Sequence, residues 1–65
     1  MEQHKGKKCR IFVPRLLRSV IRVVQYDSYR DTYFMEHKNQ RWIVEPDPYA
    51  PTTLRARPFS TGHAI

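Results

Sequence analysis

A chain of 65 residues is at most one small domain, whose core alone is expected to supply only roughly 3–5 kcal/mol. Cys9 is the sole cysteine, which excludes an internal disulfide and a four-cysteine zinc site, and His4, His37 and His63 are scattered without ligand spacing. The net charge of +6 lies wholly in residues 1–26, where seven cations face the single acid Glu2, while residues 27–65 balance five against five.

No metal and no other cofactor is therefore expected, and the missing stability is expected from a partner. Residues 1–10, "MEQHKGKKCR", are polar, basic and turn-prone, and read as an arm that orders on a partner. Lys5, Lys7, Lys8, Arg10, Arg15, Arg18 and Arg22 make this region attractive to polyanions: RNA, DNA or an acidic membrane surface. A merely solubilising tail would not require removing nearly every acid from so long a stretch. Segment 3–26 is basic and acid-free, which is also the composition of a mitochondrial presequence. No run of 18 apolar residues occurs, so no membrane span is expected, and the longest apolar runs, of three residues, give no secretory signal.

Residues 11–26, "IFVPRLLRSVIRVVQY", admit two readings. As a helix starting at Pro14, they place Arg15, Arg18 and Arg22 on one face and Leu17, Val20, Ile21 and Val24 on the other. As a strand over 19–26, they place Val20, Arg22, Val24 and Tyr26 on one face, and the density of β-branched residues favours this reading. Residues 14–18 then form a helical turn or an extended lead-in. Asp27 and Ser28 open a turn over 27–31.

"TYFMEH", 32–37, is a second strand, with Tyr33, Met35 and His37 on one side and Thr32, Phe34 and Glu36 on the other. "KNQR" breaks the apolar pattern, and "WIVE", 42–45, is a short third strand. Pro46, Pro48 and Pro51 predict a stiff loop over 46–53. "LRARPF", 54–59, alternates, and Pro58 confines it to an edge strand or extended segment. The expected fold is a small all-β domain with a three- to four-stranded antiparallel sheet over 19–60, a basic extended N-terminal arm over 1–18 and a tail over 61–65.

No catalytic set stands out, and with only Gly6 and Gly62 there is no glycine-rich phosphate loop, so no enzyme and no small-molecule substrate are expected. Cys9, beside Lys8 and Arg10, is read as a bystander. Cations alternate with apolar residues at Arg10–Ile11–Phe12, Arg41–Trp42 and Arg55–Ala56–Arg57. Arginine and lysine neutralise phosphates, and Asn39 or Gln40 can bond to base edges, riboses or phosphates. The plainer reading of Tyr33, Phe34 and Trp42 is core packing, and that of Lys38 and Arg41 is a solvated turn.

The middle of the chain, Ile21-Arg22-Val23-Val24, then Tyr33-Phe34, then Lys38-Asn39-Gln40-Arg41, resembles the opening of protein thirty-three of the large ribosomal subunit, bacterial and mitochondrial type. Tyr49-Ala50-Pro51 and Phe59 look like that family's Tyr-Asp-Pro corner and last-strand aromatic, so the resemblance runs from Ile21 to Phe59. The loop over 25–31 is longer and lacks the family's glycines, and Ala50 replaces the corner Asp. One branch of the family carries two zinc-binding Cys-x-x-Cys pairs. Positions 26–29 and 50–53 hold no cysteine here, which implies the zinc-free branch.

The resemblance implies a zinc-ribbon-like sheet without zinc, lying on large-subunit rRNA near the exit site for tRNA. Lys38, Asn39 and Arg41 would contact RNA from their turn, and residues 1–20 would thread into rRNA or toward neighbouring ribosomal proteins. The expected function is thus a structural constituent of the large subunit of a mitochondrial ribosome, in the matrix. Its RNA-binding residues would be Lys5, Lys7, Lys8, Arg10, Arg15, Arg18 and Arg22 with Lys38, Asn39, Arg41, Arg55 and Arg57. The alternative is an accessory subunit of a mitochondrial membrane complex, with an amphipathic helix over 14–25.

Overall fold

A computed structural model describes residues 1–59. The described residues form six strands: β1 (Lys8–Val13), β2 (Arg18–Val23), β3 (Gln25–Asp27), β4 (Thr32–His37), β5 (Gln40–Asp47) and β6 (Ala50–Pro58). Single 3₁₀ turns at Glu2–His4 and Pro14–Leu16 complete the fold. The strands make one curled sheet in the order β2-β1-β6-β5-β4-β3. All neighbours are antiparallel except β1 and β6, which run parallel with Ile11 opposite Leu54 and Phe12 opposite Arg55.

The all-β expectation holds, but the sheet has six strands where three or four were expected, and it is mixed. Strand structure prevails over the helix in 19–26, but as two strands, β2 and β3, divided at Val24 where one was expected, and no helix spans 14–25. Pro14–Leu16 is a turn that ends on Leu17 at φ 57, with the Leu17 N–H donating to the Pro14 carbonyl at 3.0 Å.

Residues 1–18 do not form an extended arm. Residues 8–13 are an interior strand between β2 and β6, so the boundary expected at 18/19 falls inside a hairpin. The reason is a period of two. Ile11 and Val13 are fully buried, while Lys8, Arg10 and Phe12 point to the opposite face. Lys8 and Arg10, two of the cations that suggested a solvated arm, are the outer half of this strand. Residues 61–65, expected as a tail, lie outside the described residues.

The prolines also sit differently. Pro46 is within β5 and Pro51 within β6, so the expected loop over 46–53 shrinks to the turn at Pro48–Tyr49. β4 pairs with β5 only up to Ile43, so Pro46 withholds its missing N–H from no ladder on that side. The register also shifts at Pro46/Asp47, which leaves residues 51–53 without partners. β6 is an interior strand, and Pro58 is tolerated because β1 reaches only Leu54 and Arg55.

β2 and β3 are the two edges of the sheet, yet only Val24 separates them in sequence. The sheet must therefore curl until its edges meet. Val24 is fully buried at the corner. Its carbonyl accepts from the Gly6 N–H at 2.7 Å, and its N–H donates to the Lys7 carbonyl at 3.0 Å. Gly6 adopts φ +79, the left-handed region that glycine enters without strain.

Inside the curl lie Ile11, Val13, Val20, Val24, Met35, Trp42, Val44, Leu54 and Ala56. Removing the Ile11 side chain to Cβ is expected to cost about 2–5 kcal/mol, comparable with the whole stability of so small a core. Ile11→Ala should therefore lose the cooperative unfolding transition followed by Trp42 fluorescence. An unchanged transition in Ile11→Ala would mean that the first strand is dispensable.

Candidate nucleic-acid interface

The twelve lysines and arginines divide by partner. Lys5 pairs with Glu2 at 3.7 Å, Arg30 with Asp27 at 3.8 Å, and Arg41 with Asp27 at 4.0 Å and Glu36 at 3.7 Å. Arg55 and Arg57 share Glu45 at 3.3 and 3.4 Å. Among the described residues, Lys7, Lys8, Arg10, Arg15, Arg18, Arg22 and Lys38 have no acidic partner. Six of these seven belong to the β1–β2 hairpin or the residue leading into it. Exposed ion pairs add little stability, but they decide where unbalanced charge remains.

On the outer face of the hairpin, Lys8 stands across from Val23 and Arg10 across from Ile21, with Phe12 across from Ser19. Ile21 is 56% exposed and Val23 38%. This face thus joins two free cations to an apolar strip, and Arg15 adds a third cation from the exposed turn. Such a surface can neutralise phosphates while its apolar strip packs on sugars or bases.

Arg18 and Arg22 point the other way, toward the seam where β2 meets β4. There Arg22 Nη1 donates to the Ile21 carbonyl and Nη2 donates to His37 Nδ1, both at 2.7 Å. Arginine only donates, so Nδ1 is the acceptor and the neutral ring carries its proton on Nε2. That Nε2 is buried and has no partner among the described residues. Burial pushes the His37 pKa below its ordinary 6.5, and the charges of Arg22, Lys38 and Arg18 push it in the same direction. His37 is therefore a neutral strut under a cluster of three cations, a role that sequence reading missed. The one available signal was its place on the inward side of β4.

Lys38 and Asn39 are the two central residues of the β4–β5 turn, at φ 53 and φ 64. Both positive values mark a type I′ hairpin turn, for which asparagine is well suited. Gln40 and Arg41 belong to β5, so the polar tetrad is half turn and half strand. Arg41 lies over the Phe34 ring at 4.6 Å and Arg30 over the Phe59 ring at 4.8 Å. Arg30, Asn39, Gln40, Arg41 and Phe59 line an open depression on this side. Arg30 and Phe59 were not among the expected site residues, and Gln40 was read only as able to bond to base edges, riboses or phosphates.

The structure thus separates the expected set. The hairpin gathers Lys7, Lys8, Arg10, Arg15, Arg18 and Arg22, and the seam brings Lys38 near the last two. Lys5, Arg41, Arg55 and Arg57 are held in ion pairs. Tyr26 and Tyr33 are also occupied. Their rings sit 4.9 Å apart, Tyr26 donates to Asp31, and Tyr33 donates to Glu2 at 3.1 Å. The Asp31 bond and then burial push the Tyr26 pKa up to about 12.

The chain matches no family model, no curated protein and no solved structure. Among the described residues no cluster of side chains could hold a metal ion, and no helix is long and apolar enough to cross a membrane.

His37 gives the site a pH signature. The unfolded ring protonates more readily than the folded one, so stability should fall as pH drops through 6.5 and stop falling below the lowered folded value. Thermal midpoints between pH 7.5 and 5.5 should decline in the wild type, and the decline should be smaller in His37→Gln. Equal slopes would show that the ring is not held neutral.

Proposed function

We propose that the protein is a non-catalytic RNA-binding module that docks through its β1–β2 hairpin and the Lys38–Asn39 turn. One observation carries this reading. Every cation of the hairpin from Lys7 to Arg22 lacks an acidic partner among the described residues, whereas the cations of the sheet's other half are ion-paired apart from Lys38. A sheet that neutralises one half and leaves the other half positive is suited to a polyanion on the positive side. The exposed Ile21 and Val23 beside Arg10 and Lys8 give that surface an apolar component that phosphate contacts alone would not use.

In its most specific form, the reading is a structural constituent of the large subunit of a mitochondrial ribosome, in contact with rRNA and neighbouring ribosomal proteins. The residue resemblance over 21–59 supports it. The Lys38–Asn39 hairpin turn and the Tyr33–Phe34 pair on the preceding strand agree with that resemblance. The mixed sheet, with β1 beside β6, goes beyond the small antiparallel sheet that the resemblance implies.

Binding to single-stranded RNA should weaken with salt. Six phosphate contacts would give a log–log slope of about −4. Replacing Lys8 and Arg10 together with Ala should reduce that magnitude by about 1.4, whereas Arg55→Ala, beside Glu45, should change it by about 0.5 or less. Equal effects would remove the distinction between free and paired cations. For the ribosomal form, the native protein should sediment with the large particle and leave it after RNase treatment. Sedimentation unaffected by RNase would exclude that form.

A further inference from the structure

The cleft beside the β4–β5 turn has a different chemistry from the hairpin face. It is open to solvent, holds about 430 Å³ and is lined by Arg30, Asn39, Gln40, Arg41 and Phe59. That volume falls in the range of small-ligand sites, about 300–1,000 Å³. Its cations are already balanced. Asp27 faces both Arg30 and Arg41, and Glu36 faces Arg41. Two arginines against two carboxylates leave little net charge to draw a phosphate.

What remains is flat and hydrogen-bonding. Arg30 stacks over Phe59 at 4.8 Å, and Arg41 is fixed over Phe34 at 4.6 Å. Held by their acids and rings, both guanidinium groups are positioned in advance. Asn39 and Gln40 are exposed, and their side-chain amides make no hydrogen bond among the described residues. Each amide offers donors and an acceptor. Lys38, the preceding residue of the turn, is exposed and has no acidic partner among the described residues.

We infer that this cleft takes one unpaired nucleobase of a single strand, stacked on the Arg30–Phe59 pair and met at its edge by the amides of Asn39 and Gln40; this rests on the RNA-binding reading. Stacking needs an aromatic or guanidinium plane, edge recognition needs paired donors and acceptors, and a neutral surround favours a base over a phosphate. Lys38 takes the adjoining phosphate. The hairpin supplies the general attraction for the strand, and the cleft distinguishes a strand that has free bases from one that lacks them.

The test compares a short single-stranded RNA with an abasic strand of equal length and phosphate number, by fluorescence anisotropy at fixed salt. The base-bearing strand should bind about tenfold more tightly. Phe59→Ala and, separately, Gln40→Ala should reduce that ratio toward one. Gln40 is exposed at the turn, so its variant tests the cleft even where Phe59→Ala disturbs folding. Lys8→Ala with Arg10→Ala should weaken both strands alike and keep the ratio. Equal binding of the two strands by the wild type, or a ratio unmoved by both cleft variants, overturns the cleft as a base site while leaving the hairpin reading intact. Failure of the wild type to bind either strand overturns the RNA-binding reading itself, and the cleft assignment with it.

Discussion

Everything in this molecule depends on the corner at Val24. The stretch from Arg18 to Asp27 pairs with β1 on one side of that residue and with β4 on the other, so one length of chain supplies both edges of the sheet. Backbone hydrogen bonds to Gly6 and Lys7 hold the corner, and Val24 itself is sealed from water. A sheet whose edges are joined by one residue cannot lie flat. Its curl creates the enclosed core that so short a chain otherwise lacks, and it binds the basic N-terminal segment into the fold.

That constraint decides the electrostatics. Because residues 8–23 are a hairpin of the sheet, their cations are held at fixed spacing on two faces. Lys8 and Arg10 point outward beside Ile21 and Val23, whereas Arg18 and Arg22 turn toward the seam. The acids lie almost entirely after residue 26 and neutralise the cations near them. A free arm would spread its charge over many conformations and lose entropy on binding. A hairpin presents the charge already ordered. At the seam the cost appears as a buried histidine with an orphan Nε2, retained beneath Arg22.

Much of the sheet was legible in local pattern. The β-branched run at 20–23 lies in a strand, Met35 and His37 turned inward together, and Lys38–Asn39 became a turn because asparagine tolerates a positive φ. Other features were not legible. The strand at Lys8–Val13 was hidden by its outward cations, since a basic strand and a solvated arm have similar composition. Pro46 and Pro51 looked like breakers because their tolerance depends on where a neighbouring strand stops, which only the pairing reveals. The parallel contact of β1 with β6 joins the first and last strands, and no local signal specifies it. The charge asymmetry was plain in the sequence, but which cations keep free charge was not. The cleft is assembled from Arg30, the 39–41 segment and Phe59, which meet only through the sheet.

Amide hydrogen exchange on the full chain tests the central claim most directly. If the basic segment is part of the sheet, the interior amides of β1 from Arg10 to Val13 should be protected to a degree similar to those of β5 and β6, in the absence of any nucleic acid. Exchange of the β1 amides at unfolded-chain rates, beside a protected β5 and β6, would contradict it and return residues 1–18 to the status of a free arm.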